Sequence, residues 1–70
     1  MSLIKRSISL SGHRTSIALE PAFWAALEAA AARREVTLAA MVRTIDEARG
    51  ADEALASALR VFALGAAKDG

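Results

Sequence analysis

The residues with the clearest chemistry lie at the front of the chain. Lys5, Arg6 and Arg14 are the only charged residues before Glu20, and every Asp and Glu lies at Glu20 or later. The whole chain is nearly neutral, with 9 Lys and Arg against 8 Asp and Glu and a net charge of +1. A basic N-terminal third on a neutral body points to a polyanion partner. Arg14, Ser16 and Ala18 alternate along the chain, so a strand would carry all three on one face. Without further context that face is simply the solvated side of a half-buried sheet.

Other candidates carry less. His13 is the only histidine and there is no cysteine, which leaves no zinc cluster and no disulfide. His13 therefore reads as a turn residue. Asp46 and Glu47 stand near Arg43 and Arg49 at helical spacing, and surface ion pairs account for them better than a general acid and base do. Catalysis needs a cleft, and a chain of 70 residues has little room for one. No nucleophile pattern, phosphate loop or metal motif is present. We expect no enzyme activity and no cofactor.

These residues need elements to hold them. Ser7 to Leu10 alternate polar and apolar, a weak strand signal, and Ser11-Gly12 marks a turn or hinge. Alternation returns in Thr15, Ile17 and Leu19, ended by Glu20-Pro21. Proline suits the first turn of a helix, and alanine and leucine have high helix propensity. The first helix is expected over 21–34, with Phe23, Leu27, Ala30 and Ala31 as its apolar stripe. Thr37 is a candidate N-cap for a second helix over about 38–49, closed by Gly50 as its left-handed cap. Asp52 is expected to cap a third helix over about 53–66, with a stripe of Leu55, Leu59 and Phe62 joined by Ala58, Val61 and Ala66. Lys68 to Gly70 is expected to fray. Residues 13–70 form one domain, and residues 1–12 are a basic arm or an outer strand.

Size then constrains assembly. A chain this short is marginal as a monomer unless something staples it, and 54% of its residues are hydrophobic. Oligomerisation is the remaining staple. Strand 15–19 is expected to pair antiparallel with the same strand of a second copy, with Thr15, Ile17 and Leu19 facing a shared core. As an alternative, Gly12-His13 closes a hairpin that sets Ile8 opposite Ile17 and covers the outer edge of the ribbon. No stretch reaches the ~18–20 apolar residues of a membrane span. The first six residues lack the apolar run of a signal peptide. The expected location is the cytoplasm.

Thr15-Ser16-Ile17-Ala18-Leu19-Glu20-Pro21-Ala22-Phe23-Trp24, followed by Val36-Thr37-Leu38-Ala39-Ala40-Met41-Val42, resembles the ribbon-helix-helix superfamily of dimeric DNA-binding proteins. The likeness is strongest to a subgroup of short bacterial proteins with an extra C-terminal helix. Its strings read here Lys5-Arg6-Ser7, Arg14-Thr15-Ser16-Ile17, Ile45-Asp46-Glu47-Ala48-Arg49-Gly50 and Ser57-Ala58-Leu59-Arg60-Val61-Phe62. The resemblance covers about residues 5–62. It implies a mostly α, intertwined homodimer with one ribbon strand per subunit followed by three helices. It also implies binding of double-stranded DNA, as a transcriptional regulator, with the ribbon in the major groove. By position, Arg14, Ser16 and Ala18 would touch base edges. Thr37, Leu38 and Ala39 would hold a phosphate at the second helix N-terminus. Lys5 and Arg6 would add phosphate contacts or form a solvated arm. Ala18 departs from the usual polar residue and offers only an apolar contact. The competing expectation is an antitoxin-like interaction module that docks a partner protein on the third helix.

Overall fold

The computed structural model describes residues 2–69, the Asp69 side chain excepted. Two strands, β1 (Ile4–Leu10) and β2 (His13–Leu19), precede three helices, α1 (Pro21–Arg33), α2 (Leu38–Ala48) and α3 (Leu55–Asp69). The ribbon-helix-helix order is as expected, and Ile4–Leu10 form an outer strand beside the ribbon strand. The ribbon strand finds a partner within its own chain: β1 pairs antiparallel with β2, from Ile4 opposite Leu19 to Leu10 opposite His13.

The turn explains the register. Ser11 and Gly12 have φ of +49° and +86°, and a two-residue type I′ loop needs positive φ at both central positions. Glycine fits the second of these at no steric cost. The loop is therefore Ser11-Gly12, one residue earlier than the expected Gly12-His13, and Ile8 faces Thr15 instead of Ile17. A two-residue shift in pairing preserves the faces. Ile8, Leu10, Ile17 and Leu19 all point inward and are buried.

That apolar face lies on the helices. Trp24, Leu27, Val42, Leu59 and Ala63 complete the main core, and Ala30, Ala31 and Met41 form a smaller one. On α1 the buried member of the first turn is Trp24, not Phe23, which is half-buried. The reason is a hydrogen bond: the Trp24 indole N–H donates to the Ile4 carbonyl at 2.8 Å. This ties α1 to the far end of the hairpin while the ring fills the core. Arg60 lies over the Phe23 ring, 5.9 Å from its centroid.

Helix ends differ in instructive ways. At the end of α1, Glu35 N–H donates to Ala32 O and Val36 N–H to Ala31 O, both near 3 Å. This is the Schellman pattern, but its left-handed residue is Glu35, with φ of +56°. Glu35→Gly is expected to stabilise the fold by about 0.5–1 kcal/mol, measured by denaturant unfolding, because glycine adopts that region without strain. The end of α2 does not use Gly50 as expected. Arg49 turns extended, with φ −73° and ψ 156°, and bonds to the Asp46 carboxylate and the Glu53 carbonyl hold the corner. Asp52 falls within that corner, so α3 starts later than expected, its first-turn bond running from Ala58 N–H to Ala54 O. At its other end α3 continues through Lys68 and Asp69, where fraying was expected; Gly70 lies outside the described residues. Leu59 and Ala58 are buried, Leu55, Phe62 and Ala66 half-buried, but Val61 is 65% exposed and leaves the expected stripe.

Glu20 joins the ribbon to α3 through a 2.9 Å contact with Arg60. Its own backbone N–H, then the Arg60 guanidinium, hold its carboxyl below its ordinary value, against a smaller opposing effect of burial. A lowered folded-state pKa stabilises the fold above the unfolded value and loses that contribution as pH falls through the folded one. We therefore expect an acid-side drop in melting temperature, beginning near the ordinary glutamate range, that Glu20→Gln reduces.

Candidate nucleic-acid interface

Because β1 pairs with β2, the outer face of the hairpin holds two strands of side chains. Lys5 stands opposite Ala18, Ser7 opposite Ser16, and Ser9 opposite Arg14. All are exposed except the half-buried Ala18. The face thus carries two cations, three hydroxyls, one methyl and no carboxylate. The Arg14 Nε–H donates to Ser7 Oγ at 3.3 Å. Such a surface offers donors to phosphates and base edges, and nothing on it repels an anion.

The alternation of an antiparallel ladder adds to this. Leu10 and His13 flank the two-residue loop and exchange hydrogen bonds. Counting onward, Arg14, Ser16 and Ala18 direct their own N–H and C=O groups to the edge of β2 away from β1. That edge has no partner within the described chain.

Lys5 and Arg6, adjacent in sequence, are separated. Lys5 shares the outer face with Arg14. Arg6 lies on the inner side, 5.0 Å from the Trp24 ring centroid and 3.3 Å from the Glu28 carboxylate. Its guanidinium is paired with Glu28, whereas the sequence analysis expected Arg6 to act with Lys5 toward phosphates. Thr37, Leu38 and Ala39 occupy a different element. Thr37 is the α2 N-cap, its Oγ1 accepting from Ala40 N–H at 3.0 Å. The N–H groups of Leu38 and Ala39 have no partner among the described residues, as a free helix N-terminus leaves them.

Ser7 and Ser9 were not anticipated as neighbours of Arg14 on the outer face. Their signal was present in the Ser-Ile-Ser-Leu alternation of 7–10, once Ser11-Gly12 is taken as a tight turn. His13 borders an open cleft with Leu10, Thr15, Asp46 and Arg49. Among the described residues no group of three or more His, Cys, Asp or Glu is placed to hold a metal. Asp46 pairs with Arg49 at 2.7 Å and Glu47 with Arg43 at 3.7 Å.

A basic two-stranded ribbon seated on three helices, the third packed against the ribbon as well as against the first two, has the architecture of a ribbon-helix-helix type of protein with an added helix. The chain matches the family model of the ribbon-helix-helix domain over residues 3–67 and belongs to that family. Such domains are generally those of DNA-binding transcription regulators or antitoxins, are typically not enzymes, and typically dimerise. Neither the curated proteins nor the solved structures give a match. No helix among the described residues is long and apolar enough to cross a membrane.

Proposed function

We propose that this protein is a cytoplasmic, homodimeric DNA-binding transcriptional regulator. Two β2 strands meet antiparallel across a two-fold axis through residues 15–19, giving the sheet order β1-β2-β2-β1. With strands ~4.8 Å apart, the outer strands lie ~14 Å from each other, and a major groove is ~12 Å wide. The two central strands therefore enter the groove and the β1 strands ride at its rims. Arg14 pairs with guanine O6 and N7, Ser16 gives or accepts a hydrogen bond, and Ala18 offers its methyl to a thymine methyl. Lys5 contacts phosphate at the rim. The N–H groups at the start of α2, over Thr37, Leu38 and Ala39, hold another phosphate with the aid of the helix dipole. Arg6 has no part in this set, since Glu28 neutralises it.

The observation that carries the reading is the outer hairpin face, cationic and hydroxylic with no acid. Selection of bound duplexes from a random pool, followed by titration at several salt concentrations, tests it. Enrichment of a two-fold-symmetric sequence is expected, with affinity falling steeply as salt rises. No binding at low salt would sink the reading. The dimer has its own test in Ser16→Pro. Proline on the free edge removes an N–H that the hairpin does not use, so the hairpin pairing is spared. Sedimentation at micromolar concentration should then change from dimer to monomer. An unchanged dimer would place the contact elsewhere.

The second reading is an antitoxin-like module docking a partner on α3. Val61 and Leu64 favour it, at 65% and 61% exposed, beside a shallow apolar groove of Ile45, Ala48, Ala58 and Phe62. Against it, Leu59 is wholly buried and Leu55 and Phe62 half-buried, so most of the expected docking stripe already serves the chain's own core.

A further inference from the structure

Of the outer-face hydroxyls, that of Ser7 is the one hydrogen-bonded to Arg14. Ser9 stands directly opposite Arg14 in the register, yet the Arg14 Nε–H goes diagonally across the hairpin to Ser7 Oγ at 3.3 Å. Among the described residues no carboxylate pairs with Arg14. The guanidinium is planar and has two donating edges, one formed by Nε with an Nη, the other by the two Nη groups. Engaging Nε on Ser7 occupies the first edge. The second keeps two parallel N–H bonds, the fork that matches the O6 and N7 acceptors of guanine.

We propose that Ser7 is a positioning residue: its hydroxyl holds Arg14 across the hairpin so that the paired Nη edge is the one offered to a base. β1 thereby contributes to sequence selection without contacting a base itself. This rests on the reading of Arg14 as the base-contacting side chain. A long, free arginine side chain loses rotamer freedom on docking, and a side chain restrained beforehand loses less. Ser7 is exposed on the outer face and outside the core, so its removal leaves the hairpin packing intact.

The test combines Ser7→Ala, Ser7→Thr and Arg14→Ala in a double-mutant cycle, with two readouts. The first is discrimination between the selected duplex and one changed at the base pair whose identity Arg14 determines. Ser7→Ala should lower that ratio ~3- to 10-fold, a fraction of what a bidentate contact contributes, while low-salt affinity for random duplex stays level. Ser7→Thr, which keeps a hydroxyl, should restore the ratio, and Ser7→Ala should add nothing in the Arg14→Ala background. The second readout is the Arg14 Nε–H resonance of the free protein. It should shift and exchange faster with water in Ser7→Ala. A uniform loss on all duplexes that persists without Arg14 would make Ser7 a phosphate contact and overturn the positioning role. An unchanged Nε–H resonance, with duplex binding intact, would overturn it as well. Absence of duplex binding by the parent protein, with the resonance responding as described, would overturn the base-reading assignment of Arg14 instead.

Discussion

Arg14→Ala is expected to lower affinity for the selected duplex by roughly 30-fold or more, and to flatten preference among sequences. One bidentate arginine–guanine pair discriminates by about 1–3 kcal/mol, and a two-fold-symmetric complex loses two of them. The residue is exposed, free of carboxylates and at the turn end of a face that carries no acid, so its removal should not harm the fold. Competition titration with selected and scrambled duplexes, at one fixed salt concentration, separates lost selectivity from lost charge. Lys5→Ala serves as the contrast. It stands on the same face at the opposite end of the hairpin, and should weaken all duplexes alike and reduce the salt slope. If Arg14→Ala behaves like Lys5→Ala, Arg14 is a phosphate contact and the ribbon reads little sequence.

Leu59→Ala should be among the most damaging single changes to stability. Leu59 is fully buried between the ribbon and the other helices, in the same cluster as Leu19, Leu27 and Val42. Truncating a buried leucine costs about 2–5 kcal/mol, the transfer loss plus the cavity left behind. Domains have roughly 0.05–0.15 kcal/mol of stability per residue, which for this chain is about 4–10 kcal/mol in total. The variant should therefore melt about 8–40 °C lower, or fail to fold at physiological temperature. Val61→Ala, two positions along α3, should change stability by under about 0.5 kcal/mol, because Val61 is exposed. Comparable melts for the two variants would mean that α3 is an appendage and not part of the core. That outcome would revive the docking reading, in which α3 is free to meet another protein.

The third helix illustrates what periodicity can and cannot carry. Leu55, Leu59 and Phe62 form a stripe legible from spacing, and the core takes all three, at least in part. Val61 is apolar too, but at 3.6 residues per turn it lies ~200° around the helix from Leu59, and it faces solvent. Composition cannot say where an apolar stripe ends when alanine flanks it on both sides, since alanine is accepted by core and surface alike. The first helix shows the same ambiguity: Phe23 and Trp24 are neighbours of similar apolarity, and a hydrogen bond to Ile4, 20 residues away, decided which one is buried.

Local chemistry determined much of this protein. Thr37 caps α2 as its hydroxyl allows, Pro21 opens α1, and the phase of Arg14, Ser16 and Ala18 opposite Ile17 and Leu19 follows from the two-residue period of a strand. Family membership was legible in the same strings. What only the tertiary structure decided is the company each residue keeps. The partner of β2 depends on which of several weak pairings is compatible with the turn and the packing below, and a nearby strand closes a smaller loop than a distant one. That choice turned Lys5 outward and Arg6 inward, brought Ser7 to Arg14, and left the far edge of β2 open. Charge and apolarity are properties of a residue, but the face it presents is fixed only when a second segment packs against it.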